Sequence, residues 1–216
     1  MNKAFIFDMD GVLIDSESIS VRDDYAFSVE IFGKEIADKL GDPMGFGVVE
    51  VHKRAVALGA TIDKELYIQK RDERARLIYD RADITEGSDR LVTYLADNGY
   101  KLGVVSATQR KWIDYVLTKL HFREKFEVVI SVNDEGLPSK PAPDGYREAL
   151  RRLDAEPKRS IVLEDSNRGI ASGKAAGCYV IGYRGHLIEG YEQTGADAYA
   201  DTMDDVIKLV ESFDRN

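Results

Sequence analysis

The chain has 216 residues, with Lys+Arg 30 against Asp+Glu 39, a formal net charge of −9 and 44% hydrophobic residues. This composition is globular rather than disordered, and the length allows a core that needs no disulfide or structural metal. The acid excess disfavours nucleic-acid and anionic-membrane partners, and a single cysteine, Cys178, excludes an internal disulfide and suits a reducing compartment.

The first predicted element is a strand over Lys3–Phe7, apolar on consecutive positions as in a sheet covered on both faces. Asp8 and Asp10 interrupt that run. It is too short for a secretory core of roughly 7–15 residues or a spanning helix of roughly 20. A soluble, cytoplasmic protein is therefore expected, with no nucleic-acid or membrane partner; the oligomeric state is not legible. From about Asp15 to about Thr85 the pattern is helical: Ser16–Phe32, Glu35–Leu40, Gly47–Leu58 and Asp63–Ala82. A stretch of about 70 residues is too long for a loop and suits a small inserted domain.

Alternation then begins. A helix over Asp89–Asn98 precedes a strand at Leu102–Val105, and a helix over Gln109–Leu120 precedes one at Val128–Ile130. Pro143–Leu153, Ile161–Leu163, Asn167–Ala176 and Tyr179–Ile181 continue the rhythm, with Gly177 as a helix stop and Thr202–Phe213 as a closing amphipathic helix. The expected fold is α/β: a Rossmann-like, doubly wound parallel sheet over 1–14 and 86–216, with a helical cap over 15–85.

Ligands of such sheets bind beyond the carboxyl ends of the strands. The strands deliver Asp8-Met9-Asp10-Gly11, then Ser106-Ala107-Thr108, then, through a turn, Lys140-Pro141, and finally Glu164-Asp165-Ser166. Carboxylates, a hydroxyl and an ammonium would share one rim. A calcium loop is excluded by register, because Gly11 falls at position 4 and Ile19 at position 12 counted from Asp8. The chemistry open to these groups is phosphoryl transfer to a carboxylate. Asp8, Asp10, Asp165 and a phosphate dianion bring about −5 together, so a cation such as Mg²⁺ and the lysine are needed to hold a substrate. Ser106 and the amide of Ala107 could bind an equatorial phosphate oxygen.

As an ordered set these segments resemble the haloacid dehalogenase-like hydrolase superfamily, in its helical-cap branch of phosphatases and β-phosphoglucomutase-like proteins. The matching stretches run from Phe7 to Ser16, Val104 to Thr108, Lys140 to Asp144 and Leu163 to Ser166, with Gly169–Gly177 similar to the helix that follows. The resemblance implies a phosphatase acting on a small phosphorylated metabolite, with Asp8 as nucleophile and Asp10 as general acid and base. It implies Mg²⁺ on Asp8, the Asp10 main-chain carbonyl and Asp165, with Glu164 ligating or supporting. Ser106, Ala107 and Lys140 would bind the transferring phosphoryl group.

A phosphomutase is the nearest alternative. The family's mutases carry a His shortly after the first motif and an Arg in the first cap loop, whereas Asp15–Ser20 lacks His and Leu40–Gly47 lacks Arg. A dehalogenase would have no use for Asp10 or the Glu164-Asp165 pair, and a phospho-receiver module carries no inserted cap. Substrate specificity is expected in the cap, near Asp42–Gly47 and His52–Arg54. His52, His121 and His186 lack partners at metal-ligand spacing, so zinc is not expected. Asp15 reads as structural and Cys178 as core packing.

Overall fold

The computed structural model describes residues 2–41 and 48–215, with the side chains of residues 17 and 20–24 left out. Its strands are β1 (Lys3–Phe7), β2 (Tyr100–Ser106), β3 (Phe126–Ser131), β4 (Ile161–Glu164), β5 (Tyr179–Tyr183) and β6 (Ala198–Ala200). They form one parallel sheet in the order β3-β2-β1-β4-β5-β6. Side chains alternate across it. Phe5 and Phe7 enter the layer with Leu91, Leu102, Val104, Ile113 and Val206, while Ala4 and Ile6 enter the opposite layer with Ile130, Tyr146, Val162 and Val180.

Helices cover both faces: α5 (Ser88–Asp97), α6 (Arg110–Lys119), α7 (Asp144–Arg152), α8 (Asn167–Ala176) and α9 (Met203–Asp214). Each lies within a residue or so of its expected span. α8 ends as the sequence suggests, at Gly177 with φ +89°, and the structure adds an N-terminal cap in which the Ser166 hydroxyl accepts from the Gly169 amide. The strand the sequence reading omits is β6, Ala-Tyr-Ala paired with Ile181–Tyr183. Three residues without a branched side chain give no apolar run to recognise.

Between β1 and α5 lie α1 (Glu17–Phe32), α2 (Lys34–Leu40), α3 (Val48–Ala57) and α4 (Lys64–Arg81). They enclose a small core of Phe27, Phe32, Val51, Ala55 and Tyr67. The outgoing and returning chains pair where they leave the sheet: the Asp15 amide donates to Asp83 (2.9 Å) and the Thr85 amide to Leu13 (3.0 Å). No helix among the described residues is long and apolar enough to cross a membrane.

Candidate active site

The strand order reverses direction between β1 and β4, which opens a crevice at their carboxyl ends. β1 carries Asp8 into it, with the Asp8 amide still bonded to the Leu163 carbonyl of β4 (3.0 Å). The chain then winds around one carbonyl. Met9 accepts from the amides of Val12 (3.3 Å), Leu13 (2.9 Å) and Ile14 (3.3 Å), and Gly11 takes φ +69°, a conformation that strains side-chain-bearing residues. This turn sets the Asp10 carboxylate against the end of β2. Its Oδ2 accepts from the hydroxyls of Thr108 (2.8 Å) and, longer, Ser106 (3.4 Å), and its Oδ1 from Ser16 (3.0 Å).

Lys140 arrives on the connection from β3 to α7, next to a cis peptide with Pro141. Its ammonium lies 2.5 Å from Asp8 Oδ1 and 2.5 Å from Glu164 Oε1, and 3.3 Å from the Val105 carbonyl. Exposure of these side-chain-bearing residues is 9% for Lys140, 6% for Asp8 and 0% for Glu164, so solvent screens little of their interaction. Glu164 is fully occupied. Oε1 also accepts from the Tyr146 hydroxyl (2.8 Å), and Oε2 accepts from the Ser166 amide (3.2 Å) and hydroxyl (3.0 Å). Two donors on each oxygen fill the lone pairs of a carboxylate.

Burial pushes the Asp8 carboxyl well above the usual carboxylate range; Lys140 opposes this, while the Glu164 and Asp10 charges add to it. For Lys140 burial acts downward, yet Asp8 and Glu164 outweigh it and hold the ammonium well above its ordinary value. Burial and the Glu164 charge likewise raise Tyr146, which stays a neutral donor. One cation thus faces more negative charge than it can balance. One carboxylate oxygen from each of Asp8, Glu164 and Asp165 lies within 4.8 Å of the others; with Glu164 already bonded, the oxygens of Asp8 and Asp165 suit a hard divalent cation.

A family model described as haloacid dehalogenase-like hydrolase matches residues 2–177. The chain belongs to the haloacid dehalogenase-like hydrolases. This hydrolase is similar to hexitol phosphatase B of Escherichia coli (strain K12), 31% identical over 180 residues that cover 80% of this chain and 79% of that one. It is also similar to (DL)-glycerol-3-phosphatase 1, mitochondrial, of Arabidopsis thaliana, 29% identical over 194 residues, 82% of this chain but 62% of the plant protein. Among solved structures, CbbY from Rhodobacter sphaeroides in complex with phosphate shares the fold. Its TM-score is 0.73 at 24% identity, covering 95% of this chain and 96% of that one.

In this hydrolase Asp8, Lys140, Glu164 and Asp165 come together at the crevice, and Asp10 and Ser106 meet beside it. The neighbouring Ala107 carbonyl is held by the Asn133 side-chain amide. Four contributors were not singled out as site residues from sequence. Ser16 and Thr108 hold Asp10, Tyr146 holds Glu164, and Gln193 donates to the main-chain carbonyls of Asp165 (2.6 Å), Tyr183 (3.1 Å) and Glu164 (3.3 Å). The available signal was weak: Thr108 stands two residues after Ser106, and a buried Tyr generally needs a partner for its hydroxyl. Gly169 matters for a different reason. A Cβ there would sit 1.8 Å from Glu164 Cδ, so the first turn of α8 rests directly on that carboxylate.

The expected specificity segment Asp42–Gly47 lies outside the described residues. His52 is turned inward, its Nε2 3.0 Å from the Ile62 carbonyl and its ring 5.5 Å from that of Tyr67. Arg54 pairs with Glu50 on the surface of α3 at 2.9 Å. His52 is a packing residue of the inserted helices.

Proposed function

We propose that this hydrolase is a Mg²⁺-dependent phosphatase that cleaves a small phosphomonoester, a sugar or polyol phosphate, through an aspartyl-phosphate on Asp8. The observation that carries the reading is the buried ammonium of Lys140, 2.5 Å from both Asp8 and Glu164, in a crevice where Asp165 adds further acid. The phosphatase names of the Escherichia coli and Arabidopsis relatives support it. Residues 1–14 and 86–216 are taken as the catalytic core and 15–85 as a cap that shields the reaction from bulk water.

Each residue then has a task. Asp8 attacks phosphorus while the bond to the leaving oxygen breaks, and Asp10 gives that oxygen its proton. A water that passes its proton back to Asp10 then attacks the phosphoryl-aspartate, releasing phosphate and restoring Asp8. Lys140, Ser106 and the Ala107 amide bind the transferring oxygens. Asp8, Asp165 and the Asp10 main-chain carbonyl hold Mg²⁺, which supplies charge neutralisation for the phosphate. Glu164, its oxygens already committed, keeps Lys140 aimed at Asp8 rather than ligating.

The test is phosphate release across a panel of phosphorylated metabolites, with Mg²⁺ and with chelator. Turnover of sugar or polyol phosphates that vanishes without the metal is expected. Absence of release from every phosphomonoester in the presence of Mg²⁺ would refute the proposal.

A further inference from the structure

One polar connection to Asp10 comes from the inserted helices rather than from the sheet. The Tyr79 hydroxyl, on the last turns of α4, lies 3.2 Å from Thr108 Oγ1, which itself lies 2.8 Å from Asp10 Oδ2. A threonine hydroxyl has one proton to give, and here it is directed at Asp10 Oδ2. Thr108 therefore donates to Asp10 and accepts from Tyr79, which orders the three groups in one direction.

Tyr79 is itself firmly placed. Helix α6 grips the end of α4: Lys119 donates to the carbonyls of Tyr79 (2.7 Å) and Ala82 (2.9 Å), and Tyr115 donates to Asp80. Further back along α4, Trp112 Nε1 donates to Asp72 (3.2 Å), with the Trp112 ring 5.9 Å from that of Tyr79. A cation on the terminal carbonyls of a helix is a favourable anchor. Tyr79 is buried and its contact with Thr108 is partly so.

We propose that Tyr79 is a positioning residue for Asp10, acting through Thr108 to fix the rotation of the carboxyl group that protonates the leaving oxygen. The proposal rests on Asp10 being the general acid of the reaction. It makes the inserted helices part of the proton-transfer geometry and not only a cover. A misaimed acid penalises leaving groups that need a proton and spares those that do not.

The experiment compares kcat/KM for p-nitrophenyl phosphate, whose leaving phenolate needs little protonation, with kcat/KM for an alkyl phosphomonoester the enzyme turns over. Wild type, Tyr79→Phe, Thr108→Val, Thr108→Ser and Asp10→Asn are measured in saturating Mg²⁺. Tyr79→Phe removes one oxygen and keeps the ring against Trp112. It is expected to lower the alkyl value about 10-fold and the aryl value less than about twofold, with a larger selective loss for Thr108→Val and recovery in Thr108→Ser. Equal losses on both substrates, or none, in Tyr79→Phe, with Asp10→Asn still losing more on the alkyl ester than on the aryl one, would overturn the role of Tyr79 alone. An Asp10→Asn protein without such selectivity would overturn the general-acid assignment and this proposal with it.

Discussion

Ion pairs in two regions of this molecule differ in what surrounds them. On the inserted helices, Lys34–Asp38 (2.7 Å), Lys39–Glu35 (2.8 Å) and Arg54–Glu50 (2.9 Å) are spaced four residues apart and open to water. At the crevice, Lys140 meets Asp8 and Glu164 at 2.5 Å with almost no solvent access. Distances alone would rank them similarly. Solvent screening leaves the first group with little effect on stability, whereas in the second each charge depends on its partners. The lesson is that the crevice holds its charges in place for chemistry, and the folded chain tolerates them because Lys140, Tyr146 and Ser166 hydrogen-bond the buried carboxylates.

Among changes that leave the attacking carboxylate in place, the largest effect should come from disturbing those bonds. Gly169→Ala drives a methyl group to within 1.8 Å of the buried Glu164 carboxyl carbon. We expect a loss of about 2–3 kcal/mol in denaturant unfolding and at least about a 100-fold fall in phosphate release, because Lys140 loses the group that aims it. Full activity in that variant would show that Glu164 does not orient the lysine.

A subtler effect is pH-dependent. Burial raises the Asp8 carboxyl, so in metal-free protein Asp8 favours folding at pH values below its ordinary range, and that contribution is lost as pH rises through the shifted value. Lys140, raised above its ordinary value, stays charged throughout this window and adds no slope. The stability of metal-free Asp8→Asn relative to wild type should therefore rise as pH rises above the ordinary carboxylate range, and Mg²⁺ should offset that gain by stabilising only wild type. A constant difference as pH rises would contradict the crowding of charge at Asp8.

The smallest effect belongs to the surface pairs. Lys34→Ala should leave the rate unchanged and shift Tm by no more than about 1 °C. A large shift would erase the distinction between the two regions.

The same contrast explains what could be read from the sequence. β1 to β5 were legible because strands buried on both faces are continuous apolar runs, and β6 was not because Ala-Tyr-Ala is too short to be one. Asp8, Lys140 and Asp165 could be picked out because each follows a strand that must end at the crevice. Glu164 was open between ligand and support, since a carboxylate's partners are set by neighbours remote in sequence: Lys140, Tyr146 and the turn at Ser166. Tyr146 reads as an ordinary buried aromatic of an amphipathic helix, and Tyr79 as one more residue of a charged one. Their hydroxyl contacts exist only once α7 and α4 are packed.

The most direct test of the account is phosphate release by Asp8→Asn in saturating Mg²⁺, on a substrate that the wild-type protein hydrolyses. Replacing the attacking carboxylate with an amide of the same shape predicts a rate lower by about 1,000-fold or more in a protein that still folds. Hydrolysis at the wild-type rate would mean that the carboxylate held by Lys140 is not the group that takes the phosphoryl.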